Sequence, residues 1–312
     1  MKKVVYHQYG HADVLKLVDA PVPMVSEKDI LVKVKASSIN PLDWKIFKGE
    51  EKLMSGSKFP KGVGIDFSGI IEKTGSGISS FKKGDEVFGL FGAFKGNALA
   101  EYIVVREKDI AIKPTNISFE QAAASPVVGL SALQILDKLT AVQSGTRLLI
   151  NGATGGIGMF LIQLAKKKGA IVTAVTGSKG MVMADGWGAD EVTDYTTQNI
   201  FADNRRYDVV VDLSGKLSFK KAKSLLNPGA TFITTIPGLK TLAGSFFNNL
   251  FSATKYKVLV LKPANDGLKA LARLIEGGLD IVVEKVYPIT SARSAYEEVA
   301  RGGLTGKAVI TV

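Results

Sequence analysis

The chain has 312 residues, 46% hydrophobic and 22% charged, with Lys plus Arg at 40 against Asp plus Glu at 29 and a formal net charge of +11. That balance suits a folded chain of about two domains, at roughly 100–200 residues each, and excludes a disordered or fibrous one. There is no cysteine, so disulfides and thiolate metal sites are excluded, and only two histidines, His7 and His11.

The opening "MKKVVYHQYG" lacks the apolar centre of a signal peptide. No run reaches the ~18 apolar residues of a membrane span; "TFITTIPGLKTLAGSFFNNLF" is interrupted by Pro237, Lys240 and two asparagines. A cytoplasmic location is the expectation. The lysines are spread along the chain, densest at Lys216 to Lys223, so the positive charge reads as a solvated surface and nucleic-acid binding is not expected.

From Ile30, "ILVKVKASSI" alternates apolar and polar residues, the mark of a half-buried strand. "FSGIIEKTG" and "FKKGDEVFGL" follow as strands separated by turns at Gly75, Gly77 and Gly84, and "ALAEYIVVREKDIAIKP" adds two short strands closing at Pro114. The first ~115 residues therefore read as a mostly β domain. Ser118, with Gln121 three residues on, makes a capping box, and Pro126 and Gly129 interrupt the helical pattern, which predicts two helices. From Arg147, strands alternate with helices: "RLLIN", "GMFLIQLAKKKG", "IVTAVT", "MVMADGWGA", "EVTDY", "YDVVVDL", "SFKKAKSLL" and "TFITTI". That alternation predicts a parallel, doubly wound sheet. "YKVLVL", two helices and the strands "VEKVYPI" and "GKAVITV" end the chain, and need not belong to that sheet.

Between the first strand and helix of this part lies "INGATGGIG", Ile150 to Gly158. A glycine-rich turn there sits at the carboxyl edge of the sheet and at a helix N-terminus, which together suit a pyrophosphate. Against the G-x-G-x-x-G pattern the turn places Ala153, Gly155 and Gly158, with alanine in the first glycine position. A dinucleotide is the expected ligand. Sites for NAD carry Asp or Glu ~20 residues further on, to bind the ribose 2′-hydroxyl. Here the second strand ends Val175-Thr176-Gly177-Ser178-Lys179, with no carboxylate before Asp185. Hydroxyls and a lysine suit a 2′-phosphate, so NADPH is the expected cofactor.

The stretches "VKVKASSINPLDWK", "FPKGVGIDFSGIIEKTGSGISSFKKGDEVFG", "AEYIVV", "AAASPVVGLSALQ", "INGATGGIGMFLIQLAK", "GADEVTDY" and "TGKAVITV", in that order and spacing, resemble the zinc-independent quinone oxidoreductases of the medium-chain dehydrogenase/reductase superfamily over nearly the full chain. Within them the chain looks like the plant-type alkenal/enone and chloroplast-envelope quinone reductases and their bacterial relatives. The resemblance implies an α/β fold: a chaperonin-10-like, mostly β catalytic domain at 1–116 completed by 258–312, a Rossmann NADPH-binding domain at 117–257, and an active site in the cleft. Zinc-dependent relatives ligate metal with Cys, His and Glu, whereas this chain has Asn40 near the cysteine place and Gly64-Ile65-Asp66 where Gly-His-Glu is common. No metal is expected.

Without a Lewis acid, the hydride acceptor must be activated by conjugation, as quinones and α,β-unsaturated carbonyl compounds are. The alternative is a cofactor-binding regulatory or structural protein with little catalysis. The resemblance places Asn40, Asp43 and Lys45 at the catalytic end, with Lys45 a candidate donor to the developing oxyanion; a turn capped by Asn40, with Lys45 solvated, is the plainer reading. Cofactor contacts are implied for Ser131, Thr154, Gly155, Gly156, Ile157, Gly158, Thr176, Gly177, Ser178, Lys179, Tyr195, Ile236, Gly306 and Lys307; Tyr195 and Ile236 read equally well as core. Phe246, Phe247 and Phe251 suggest a pocket wall, a contact in a homodimer, or core packing.

Overall fold

The computed structural model describes residues 1–92, 94–202, 204–262 and 265–312. Its strands and helices run in chain order as β1 (Lys2–Tyr6), β2 (Lys16–Asp19), β3 (Ile30–Ser38), α1 (Pro41–Phe47), α2 (Lys52–Ser55), β4 (Lys61–Gly62), β5 (Asp66–Thr74), β6 (Glu86–Leu90), β7 (Tyr102–Val105), β8 (Ile110–Ile112), α3 (Phe119–Ala123) and α4 (Pro126–Gln134). Next come β9 (Arg147–Asn151), α5 (Gly156–Lys167), β10 (Ile171–Thr176), α6 (Met181–Gly186), β11 (Glu191–Asp194), β12 (Tyr207–Asp212), α7 (Phe219–Ala222), β13 (Leu226–Thr234), α8 (Leu239–Phe251) and β14 (Lys255–Val258). The chain ends with α9 (Asn265–Glu276), β15 (Val283–Pro288), α10 (Ala292–Val299) and β16 (Lys307–Thr311).

Two compact units result: Met1–Val127 with Pro263–Val312, and Val128–Lys262. The first holds a small sheet of order β2-β1-β4 and a seven-stranded sheet of order β15-β16-β3-β5-β6-β8, with β7 also on β3. The alternation in β3 does what its period demands: Ile30, Val32, Val34 and Ala36 are buried while Lys33 is exposed. Each such side chain contributes up to about 1.5–3 kcal/mol by leaving water. The C-terminal return completes this sheet. β16 lies antiparallel to β3, with Val309 opposite Ser38 and Thr311 opposite Ala36.

The second unit is one parallel sheet of order β11-β10-β9-β12-β13-β14. Numbered from β9, that is 3-2-1-4-5-6, the doubly wound order whose switch point lies between the first and fourth strands. At that point the Asn151 amide donates to Asp212 Oδ1 and Ser214 Oγ, both at 2.9 Å.

The division between units falls inside α4 and after Lys262, where the sequence placed it at 116/117 and 257/258. Hydrogen bonds explain the shift. Ser68 Oγ donates to the Phe119 carbonyl, and the Val127 N–H to Asp66 Oδ1, which ties α3 to the first unit. β14 pairs with β13, and the Gln134 side chain bonds Val260 and Lys262, which keeps residues past 257 with the second. The two expected helices form, but Pro126 opens α4, where its missing N–H costs nothing, and Gly129 lies within that helix without breaking it.

Candidate functional site

β9 ends at Asn151 and the chain turns into α5. Gly152 takes φ +85°, the left-handed region that favours glycine, and the Gly152 and Ala153 N–H groups both donate to the Val175 carbonyl at 3.0 Å. Gly152 therefore makes the tight turn, and Ala153, aligned to the first glycine of the pattern, needs no special backbone. A Cβ on Gly158 would lie 2.1 Å from the Ala153 carbonyl, so this glycine lets helix and strand close up. Gly155 differs. Its φ is −75°, and the nearest atom to an added Cβ would be 3.7 Å away. Nothing in the protein demands glycine there; the space in front of it is open. Gly156, Ile157 and Gly158 form the first turn of α5, whose N–H groups have no acceptor within the helix.

Beside this turn, Thr154 Oγ1 and Thr176 Oγ1 lie 2.5 Å apart, and a Cβ on Gly180 would stand 2.5 and 2.4 Å from them. Tyr195 donates its N–H to the Thr176 carbonyl, and its hydroxyl lies beside Gly177. At 61% exposed, Tyr195 is not a core residue. Neither is Ile236, exposed beyond β13 with its side chain against Gly215. Ser131 is buried in α4. Ser178 Oγ donates to Asp194 Oδ2 at 2.5 Å, while Thr196 donates its N–H and hydroxyl to Oδ1 at 2.9 and 2.7 Å. These bonds, Ser178's first, hold the Asp194 carboxyl below its usual range. Counting along the chain missed this carboxylate. Thr176 and Asp194 are register partners across the parallel sheet, so Asp194 arrives beside Ser178 from the next strand. Lys179 is exposed and has no ion pair among the described residues.

The first unit carries a second constellation, buried and polar. Lys307, 5% exposed, donates from Nζ to Asn40 Oδ1 and the Ile39 carbonyl, both at 2.7 Å. Asn40 Nδ2 and Ser38 Oγ donate to Asp66 Oδ2 at 2.9 and 2.8 Å. Asp43, in the first turn of α1, accepts the Asn40 N–H at 2.8 Å and the Tyr296 hydroxyl at 3.2 Å. Loss of water raises the Asp43 carboxyl to about 7; the Asp66 charge adds to this, while the Asn40 N–H, Lys307 and Tyr296 oppose it. Burial likewise raises Asp66 and lowers the Lys307 ammonium. Asn40 occupies the N-cap of α1 in a capping box with Asp43, and its side chain also serves this network. Lys45 lies half-buried on α1, outside the network. Gly306 has φ +78°, and a Cβ there would meet the Val282 carbonyl at 2.3 Å, so its glycine is a backbone requirement. Lys307, expected over the cofactor, has its ammonium committed to Asn40 and Ile39. Asp43 also lines a cavity of about 450 Å³ within this unit.

Comparison with known proteins adds the lineage. The pattern of the alcohol dehydrogenase GroES-like domain matches residues 26–115, and that of the zinc-binding dehydrogenases matches 187–310. The chloroplast envelope quinone oxidoreductase homolog of Arabidopsis thaliana is 32% identical over 99% of this chain and 98% of its own. The chain belongs to the zinc-independent quinone oxidoreductase family of the medium-chain dehydrogenase/reductase superfamily. The NADPH-dependent alkenal/one oxidoreductase of the same plant is 34% identical over 99% of this chain and 79% of its own. The solved quinone oxidoreductase of Coxiella burnetii superimposes with a TM-score of 0.90, at 29% identity, covering 100% of this chain and 99% of that one.

Zinc, which the second matching pattern implies, does not fit the residues present. Among the described residues no group of three or more His, Asp or Glu is placed to hold a metal, and both histidines are exposed. The Asn40 oxygen already accepts from the protein's own cation, Lys307, and the Asp66 carboxyl accepts from Ser38, Asn40 and the Val127 N–H. A dinucleotide does fit: the open face of Gly155 leaves room that a Cβ would fill, at the N-terminus of a twelve-residue helix. Sequence reasoning missed Asp66 as a partner of Asn40, and Gly152, Gly180 and Asp194. The glycines left a signal in composition alone; Asp66 and Asp194 left none until strands were set side by side.

Proposed function

We propose that this member of the quinone oxidoreductase family is an NADPH-dependent reductase of quinones or α,β-unsaturated carbonyl compounds. The observation that carries the reading is the Asn40–Asp43–Asp66–Lys307 network beside a small-molecule-sized cavity, in a chain whose second unit offers a pyrophosphate cradle at Gly155. When bound, the reduced nicotinamide supplies hydride to a conjugated acceptor. Asp43, raised to about 7, holds a proton near neutral pH and faces the cavity, and so serves the oxygen that gains charge. Asn40 fixes Asp43 through its N–H and orients Lys307 through its side chain. Lys45, the donor that the family resemblance implies, sits on the same helix as Asp43 but is not among the described residues that line this cavity, and its role stays part of this proposal.

NADPH is favoured over NADH by the unpaired Lys179, by the hydroxyl of Tyr195 at Gly177, and by the relative named for NADPH. The Asp194 charge nearby is already met by Ser178 and Thr196. Titration with each cofactor tests this: NADPH binds at least about tenfold more tightly than NADH, a gap of ~1.4 kcal/mol that Lys179→Ala abolishes. Equal affinities in the wild-type protein contradict it. The homodimer also belongs to this proposal, and α8 is the face assigned to it.

A further inference from the structure

The cavity that Asp43 lines has a floor and a mouth of different character. Buried Tyr6, Val63 and Ile65 line it together with exposed Pro60, Lys58 and Lys95. The Tyr6 hydroxyl is buried with no hydrogen-bond partner among the described residues, so it adds an unmet polar group to a floor that Val63 and Ile65 make largely apolar. Lys3 and Lys61 also line the cavity. Lys61 donates to the carbonyls of Ser55 and Gly56 and is thereby committed. The ammonium groups of Lys3, Lys58 and Lys95 have neither an ion pair nor a hydrogen bond among the described residues. Burial lowers the Lys3 ammonium, and Lys95 acts on the Asp109 carboxylate without pairing with it. Among the described residues that line the cavity the one carboxylate, Asp43, is bonded inside its own network.

Three unpaired cations around a cavity with a largely apolar floor have a chemical consequence. A neutral quinone offers these cations no counter-charge and leaves the exposed Lys58 and Lys95 to water. We infer that the substrate of this cavity carries an anionic group, a carboxylate, sulfonate or phosphate, held by Lys3, Lys58 and Lys95 while its conjugated carbonyl portion occupies the apolar floor. This rests on the reductase reading and narrows it from quinones and enones in general to acidic ones. The lysines act on binding through charge, so their effect falls in KM and weakens with salt.

Naphthoquinone and naphthoquinone sulfonate, compared as acceptors at saturating NADPH, test the idea. The sulfonate is expected to have a KM lower by about fivefold or more, the size of several partly screened charge pairs. In the Lys58→Gln/Lys95→Gln variant, and in about 0.5 M salt, where charges are screened within a few ångströms, the two KM values converge to within about twofold. Equal KM values in the wild-type protein, or a preference that survives both changes, overturn the inference. Reduction of neither quinone sinks the reductase reading separately. Calorimetric binding of naphthalene sulfonate, lost in the double variant, then upholds the anion site, and absence of that binding overturns it. NADPH affinity and circular dichroism serve as folding controls, since both lysines are exposed.

Discussion

Asp43 is a carboxyl whose surroundings oppose its charge, and that has consequences for both stability and rate. Its folded value, raised to about 7, lies above the ~3.9 of an unfolded aspartate, so between these values the folded state binds more protons. Stability contributed by this group is therefore present below about pH 4 and is lost as pH rises toward 7, with a slope of at most ~1.4 kcal/mol per pH unit. Asp43→Asn keeps an oxygen for the Asn40 N–H and the Tyr296 hydroxyl. Chemical denaturation across pH 4 to 7 (approximate limits) should show the wild-type protein losing ground steadily to this variant. A constant difference would place the titration elsewhere. Turnover carries the complementary sign: it declines as pH rises through about 7, and that limb disappears in Asp43→Asn.

The glycines divide in the same way, by whether the protein or a ligand needs them. Gly158→Ala drives a methyl into the Ala153 carbonyl and should lower thermal stability, by a cost on the order of 1–3 kcal/mol for overpacking. Gly155→Ala meets nothing closer than 3.7 Å at an ordinary φ, so the melting temperature holds while NADPH affinity falls. Thermal melts with and without NADPH separate the two. A Gly155→Ala protein that binds NADPH normally would remove the pyrophosphate from this turn.

At the scale of elements, α8 is the anomaly. Most surface helices turn an apolar stripe inward. Here Thr241, Ser245, Asn248 and Asn249 are half-buried, while Leu239, Leu242, Phe246, Phe247, Leu250 and Phe251 are exposed, and no residue of the helix is fully buried. The polar face has a task at the edge of the sheet. β14 is an edge strand, and its Tyr256 N–H donates to Asn249 Oδ1 while its carbonyl accepts from Ser245 and Asn249. The helix thus covers backbone groups that otherwise invite another strand. It blocks sheet-to-sheet pairing at Tyr256 and leaves a phenyl-rich surface that needs cover. A homodimer through that surface predicts that Phe247→Ser with Phe251→Ser gives a monomer by light scattering, with folding intact. A dimer unchanged by these substitutions would place the contact on another face.

For the molecule as a whole, periodicity made most of the fold legible. Alternation gave β3, the glycine turn announced β9 and α5, and the repeat of strand and helix gave the parallel sheet. Helix α8 was not legible in the sequence, and of the three readings open for Phe246, Phe247 and Phe251 their exposure excludes core packing. The site was legible where residues are close in sequence, as in "NPLDWK" and "INGATGGIG". It was illegible where pairing brings distant residues together: Lys307 reaches Asn40 only through the β16–β3 register, and Asp194 reaches Ser178 only through β10–β11. Among the described residues no helix is long and apolar enough to cross a membrane.

In the proposed reaction this chain passes hydride from NADPH to a conjugated carbonyl compound. Stopped-flow oxidation of bound NADPH, on mixing with a panel of quinones and α,β-unsaturated ketones, measures that directly. Rapid, stoichiometric oxidation by at least one class is expected, slowed on the order of 100-fold, a typical general-acid contribution, in Asp43→Asn. NADPH that binds tightly and is oxidised by no member of either class would contradict it.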